Sequence, residues 1–224
     1  GSGDGQFASL QDVAVSSDGR VYAADTWNHR IQVFDSNGKF LFARGSYGTG
    51  SGQFGAPAGI AAAKMGNHIY IYVSEAWNHR IQIFDANVNY ERKFGSYGSA
   101  DGQFQFSFPA GAGIAVTTDG RIYVADRSNE RVQAFDAECA FVSKWGSPSD
   151  GAGQLQWPFD VAVDSAGNTY VADTSHHRIQ VFDNLGNFLR QWGSYGTNPG
   201  QFQFPSSLDV TADGRVYVAD TNNN

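Results

Sequence analysis

The 224-residue chain carries 22 acidic residues against 15 Lys and Arg, a formal net charge of −7, which argues against a broad phosphate-binding surface. Its 27 glycines and 17% charged residues suit many tight turns rather than disorder or long exposed helices, while 41% hydrophobic and 14% aromatic residues supply an extensive core. The single cysteine, Cys139, excludes an internal disulfide, and these residues contain neither a signal peptide nor an apolar run approaching the roughly 20 residues of a membrane helix.

In chain order, Gly5-Gln6-Phe7 leads into a short β run at residues 12–15, then Asp18-Gly19 turns the chain into Val21-Tyr22-Ala23-Ala24-Asp25. Arg30-Ile31-Gln32-Val33-Phe34 forms a third run, and Asn37-Gly38 turns into a fourth. The order then returns. First runs recur at residues 59–62, 113–116, 160–163 and 208–211, and the Gly-Gln-Phe lead-in recurs at Gly52-Gln53-Phe54, Gly102-Gln103-Phe104, Gly153-Gln154-Leu155 and Gly200-Gln201-Phe202. Four short runs of about 4–5 residues between Gly, Asp and Asn turns predict an antiparallel four-stranded blade. The small residues Ala14, Ala61, Ala115 and Ala162 suit an inner strand on a crowded axis, and the bulkier Phe, Ile, Tyr and Trp of later runs suit the gaps between blades. The third residue of Gly-Gln-Phe is placed as a wedge between neighbouring blades. Pro57, Pro109, Pro158 and Pro205 stand at strand entries, where a missing N–H does least harm.

The phrase Ala24-Asp25-Thr26-Trp27-Asn28-His29-Arg30-Ile31-Gln32-Val33-Phe34-Asp35 returns with Glu75, Asp126, Asp173 and Asp220 at its acidic position, spaced 50, 51, 47 and 47 residues apart. A period of this length built from β runs marks a propeller or a similar array. The expected organisation is one array over residues 1–224, with repeats at about 5–51, 52–101, 102–152 and 153–199 and a partial one at 200–224.

The phrases resemble the NHL repeat over essentially the whole chain. Asn28-His29-Arg30 and Asn78-His79-Arg80 match its signature with Arg in the third place, while Asn129-Glu130-Arg131 and His176-His177-Arg178 each depart at one position. The resemblance implies an all-β propeller, usually of six blades. It also implies a range of roles: RNA-binding modules, protein-interaction modules, extracellular sensors, and in one branch a zinc-dependent lyase acting on peptidyl-hydroxyglycine. Fold does not choose among them. Six blades of about 48 residues need roughly 290 residues, so the four and a half repeats are expected to belong to a longer array or to complete themselves by self-association through open propeller ends, whose strand edges would otherwise stay unpaired.

Within each phrase the acid and the arginine are five apart: Asp25/Arg30, Glu75/Arg80, Asp126/Arg131 and Asp173/Arg178. They flank one tight connection and are expected to form structural ion pairs, because catalysis needs one site and these recur in every complete blade. His29, His79 and His177 occupy equivalent places in different blades, and adjacent His176 and His177 would point apart, an arrangement that disfavours a shared metal. The Asp-Gly and Asn-Gly turns lack the spaced ligands and terminal Glu of a calcium loop. No nucleophile-elbow, phosphate-loop or zinc-protease motif occurs. Cys139, in a strand-rich stretch without a flanking base, reads as a buried inert thiol. No catalytic residue, metal site or cofactor is therefore assigned.

Variation concentrates in the connection between the second and third runs. Trp27 and Trp77, with Tyr47, Tyr97, His29, His79, His176 and His177 nearby, are the candidate binding residues, an aromatic platform for a protein or small ligand on the loop face. Blade-to-blade uniformity favours a non-enzymatic interaction or ligand-binding scaffold. A lyase or lactone-hydrolase built from inner-strand Asp12, Asp160 and Asp209 is the enzymatic alternative, and a structural subunit of a larger extracellular assembly is a third. Nucleic acid is not an expected partner, since basic residues are few in the variable loops. Compartment is left open, with an extracellular or periplasmic setting favoured.

Overall fold

The computed structural model describes residues 1–107 and 112–223. It is all-β, with four antiparallel four-stranded blades in a propeller arrangement and a fifth hairpin. Blade 1 comprises β1 (Leu10–Val15), β2 (Val21–Asp25), β3 (Arg30–Phe34) and β4 (Phe40–Arg44), hydrogen-bonded in that order. Blade 2 comprises β5 (Pro57–Met65), β6 (His68–Glu75), β7 (Arg80–Asp85) and β8 (Tyr90–Phe94). Blade 3 follows with β9 (Ile114–Val116), β10 (Ile122–Asp126), β11 (Arg131–Phe135) and β12 (Phe141–Trp145). Blade 4 holds β13 (Pro158–Val163), β14 (Thr169–Asp173), β15 (Arg178–Phe182) and β16 (Phe188–Trp192), and β17 (Pro205–Val210) pairs with β18 (Val216–Asp220). Pro57, Pro158 and Pro205 each open an inner strand; Pro109 lies outside the described residues.

The chain divides into two compact units, Gly1–Gly120 and Arg121–Asn224. In the first, the core fills the space between blades 1 and 2. Tyr22, Ala24, Ile31 and Val33 pack from one side, and Ile60, Ile71, Val73 and Phe84 from the other, with Phe54 of the Gly-Gln-Phe lead-in fully buried among them. The wedge expected from the sequence is thus the group that lets two twisted sheets close on each other. In the second unit, Ala162, Tyr170, Ala172, Ile179 and Val181 of blade 4 pack with Leu208, and Phe202 and Trp192 close its edge.

Two glycine positions are dictated by this packing. Gly45, at φ +117, precedes the blade-to-blade connection; a Cβ there would meet the Phe54 ring at 2.6 Å and the carbonyl of His29 at 2.8 Å. Gly59 in β5 has no room at all, since a Cβ would lie 2.1 Å from the carbonyl oxygen of Ala112.

The structure corrects one expectation. Cys139 is not buried in a strand but partly exposed in the turn between β11 and β12, at φ +69. The corresponding turns place Gly38 and Gly186 there, also at positive φ. The Asp136 carboxylate accepts the N–H groups of Glu138 and Ala140, and this local capture, rather than strand pairing, sets the backbone.

Candidate functional site

Each blade's second and third strands are linked by a tight connection, a single 3-10 turn at Thr26–Asn28, Arg127–Asn129 and Thr174–His176. The strand register sets Asp25 opposite Arg30, Glu75 opposite Arg80, Asp126 opposite Arg131 and Asp173 opposite Arg178. Arginine Nε donates to the acid at 2.8, 2.5, 2.8 and 2.7 Å respectively, and all four acids are fully buried. The same carboxylates hold the incoming connection: Asp25 accepts the N–H of Ala8, Glu75 that of Gly55 and Asp173 that of Gln156. Arg80 returns the favour by donating to the carbonyls of Gly50 and Gln53, both at 3.0 Å. A buried charge stays ionised only with such partners.

The sequence reading passed over the glutamines in this network. Gln32 accepts the N–H of Gly5 at 2.9 Å and donates to Asp25 at 3.1 Å, and Gln82 and Gln180 accept from Gly52 and Gly153 in the same way. The available signal was a glutamine at a fixed place between two apolar residues in every third strand. His176 also belongs here. Its Nδ1 lies 2.8 Å from Asp173 and its Nε2 3.1 Å from Asp150, so it takes the place that Asn28, Asn78 and Asn129 hold in the other blades.

His29, His79 and His177 do a different job. Nδ1 of each accepts a backbone N–H from the following repeat: Ala56 at 3.2 Å, Phe106 at 3.1 Å and Phe204 at 3.1 Å. This bond requires an unprotonated Nδ1. Burial lowers the pKa of His29, and burial with the neighbouring His176 lowers that of His177 against an opposing pull from Asp220. Each ring also meets a tyrosine of the connection: Tyr47 at 4.9 Å, Tyr97 at 5.0 Å and Tyr195 at 4.9 Å between centroids.

In blades 1 and 2 these rings extend into a cluster. Trp77 lies 5.3 Å from His29, 6.1 Å from Tyr47 and 6.0 Å from Trp27, the last edge to face. Trp27, Trp77 and Tyr47 are nevertheless 49%, 40% and 67% exposed. Residues 27 and 77, 50 apart in the chain, are brought together because Trp27 N–H bonds the Ala8 carbonyl and Trp77 N–H the Gly55 carbonyl, each at its own blade's entry.

On the inner strands, Asp12 accepts the N–H of Ile60 at 2.8 Å, and Asp160 accepts that of Leu208 at 2.9 Å together with the Ser207 hydroxyl. They pin one inner strand to the next. Burial among protein atoms pushes the Asp160 carboxyl up to about 6, partly opposed by its hydrogen bonds and reinforced by Asp209. Among the described residues, no three His, Cys, Asp or Glu side chains converge on a common point for a metal, and no helix is long and apolar enough to cross a membrane.

The NHL repeat model matches residues 7–34, 112–135, 155–182 and 202–224, each containing the second strand and the turn just described. The chain belongs to the NHL-repeat family. Among curated relatives, the RING finger protein nhl-1 of Caenorhabditis elegans is 40% identical over 65 residues, 29% of this NHL chain and 7% of the relative. Protein brain tumor of Drosophila melanogaster is 37% identical over 68 residues, 30% of this chain and 7% of the relative. The matched stretches are thus a small part of those proteins. Solved structures of similar form include a streptogramin B lyase, TM-score 0.66 and 15% identity over 96% of this chain and 63% of that one. A chain of a nidogen/laminin complex gives 0.66 and 14% over 95% and 72%. At such identities the likeness carries the fold alone.

Proposed function

We propose that this NHL propeller is a non-enzymatic scaffold whose protein partner seats on Trp27, Trp77, Tyr47 and His29, with His79 and Tyr97 extending the surface. The observation that carries this reading is the cluster itself: three large rings, Trp27 and Tyr47 both packed on Trp77, all substantially exposed. Ring pairs are worth about 0.5–1.5 kcal/mol beyond their buried area, so the cluster is pre-ordered before any partner arrives. A partner then covers apolar surface without the entropy cost of arranging it. Trp and Tyr dominate the energetics of protein interfaces for this reason. The buried acid–arginine–glutamine network supplies the rigid base, since it staples each connection to its own blade.

The test replaces Trp27 and Trp77 together by Ser, which stands at the same place in blades 3 and 4 as Ser128 and Ser175. Binders are first selected from a displayed peptide library against the parent. The double variant should lose about tenfold or more in affinity for them while it still melts cooperatively, with only a small loss of stability. Undiminished binding would refute the assignment.

A further inference from the structure

Blade 3 departs from its neighbours at the residue that follows the buried acid. In blades 1 and 4 that residue is Thr26 or Thr174, whose hydroxyl donates to the carbonyl of Pro57 or Pro205 at the entry of the next repeat, at 2.8 and 2.7 Å. Blade 2 has Ala76. Blade 3 has Arg127, and its guanidinium lies over the rings of Trp157 and Phe159, 4.9 and 5.0 Å from their centroids. Where Trp157 and Phe159 stand, the entry of blade 2, which follows Thr26, has Ala56 and Ala58, and the entry of β17, which follows Thr174, has Phe204 and Ser206.

The Arg127 guanidinium forms no hydrogen bond or ion pair among the described residues, and its Nε is buried without a partner. The contrast with Arg30, Arg80, Arg131 and Arg178 is chemical, since each of those is matched to a buried acid. Burial lowers the Arg127 pKa, which marks a desolvated cation, yet arginine keeps its charge at neutral pH. Cation–π attraction holds the plane of the guanidinium but does not satisfy its N–H donors, which a planar anion fits side by side. Trp157, 52% exposed, offers apolar surface directly beside them.

We infer that Arg127, Trp157 and Phe159 form a second recognition site, which takes an Asp or Glu carboxylate of a peptide together with an adjacent apolar side chain. One guanidinium matches one carboxylate. A polyanion such as RNA needs a row of cations and meets instead a chain of net charge −7, with Glu130 in the same turn. This site stands independently of the Trp27–Trp77 cluster, since it uses none of those residues.

An array of immobilised octapeptides tests it, each Asp- or Glu-containing peptide being paired with its Asn or Gln counterpart, with oligouridine as a further probe. The parent should prefer acidic peptides over their amides by about tenfold or more. Arg127→Thr should abolish that preference, and Arg127→Lys, which keeps charge but not the planar fork, should restore only part of it. Melting curves monitor folding. If Arg127→Thr does not melt cooperatively, Trp157→Ala decides instead, and it should weaken capture of the acidic peptides. Equal capture of acids and amides by the parent overturns the proposal, as does full acid preference in the folded Arg127→Thr protein or in Trp157→Ala. Oligouridine binding stronger than any peptide and lost with Arg127 overturns it in favour of nucleic acid.

Discussion

In blades 1 and 2 two side chains set only two residues apart meet opposite conditions. Asp25 and Glu75 are sealed from solvent and engaged by arginine, amide and backbone donors, whereas Trp27 and Trp77 stand half-exposed at the surface, packed edge to face on one another and, through Trp77, on His29 and Tyr47. A buried carboxylate without its partners costs several kcal/mol, so its position tolerates nothing but another acid and its retinue. An exposed ring carries no such obligation. The same turn therefore repeats its chemistry where it is buried and changes it freely where it is open: Trp27, Trp77, Ser128, Ser175. Blade 3 sharpens the point, because Arg127 lies between these extremes and has neither the acid of a buried arginine nor the full hydration of a surface one.

The largest expected effect comes from breaking the buried side of this comparison. Arg80→Ala leaves Glu75 buried without its arginine and should destabilise the protein by about 3–5 kcal/mol in denaturant unfolding; a change near zero would show that the network is dispensable. Gly59→Ala should cost about 1–3 kcal/mol through overpacking, because the backbone at Ala112 must move away from the new methyl group.

The pH dependence of stability separates two inter-blade devices of opposite sign. Asp160 has a raised folded pKa, so its contribution is fully present below the ordinary carboxylate value and is lost as pH rises through about 6. His29 and His177 have lowered pKa values, so theirs is present above the ordinary histidine value and is lost as pH falls through the folded one. The stability gap between Asp160→Asn and the parent should accordingly move in the variant's favour between about pH 4 and pH 7. Replacing His29 and His177 by Gln should flatten the loss of stability below about pH 6.5. Thermal melts across that range check both. The smallest expected effect is on the exposed side: Trp27→Ser with Trp77→Ser should change stability by no more than about 0.5 kcal/mol per site, and a larger loss would make these rings part of the core.

Much of this was legible in the sequence because it is local. The 47–51-residue period, the four β runs per repeat and the acid–arginine spacing all concern residues a few places apart on adjoining strands, where a tight turn leaves one register. Cys139 was misplaced although a local signal existed, namely glycine at the matching turn positions 38 and 186. Tertiary structure alone decided the rest. The histidine latches join His29 to Ala56 and His177 to Phe204, Asp12 reaches Ile60, Trp27 meets Trp77, and Arg127 comes to rest on Trp157. These pairs lie some 27–50 residues apart and depend on how one twisted sheet closes on the next, which no local spacing specifies. The repeat itself follows from hydrogen bonding within a blade; the surface that distinguishes one blade from another follows from packing between them.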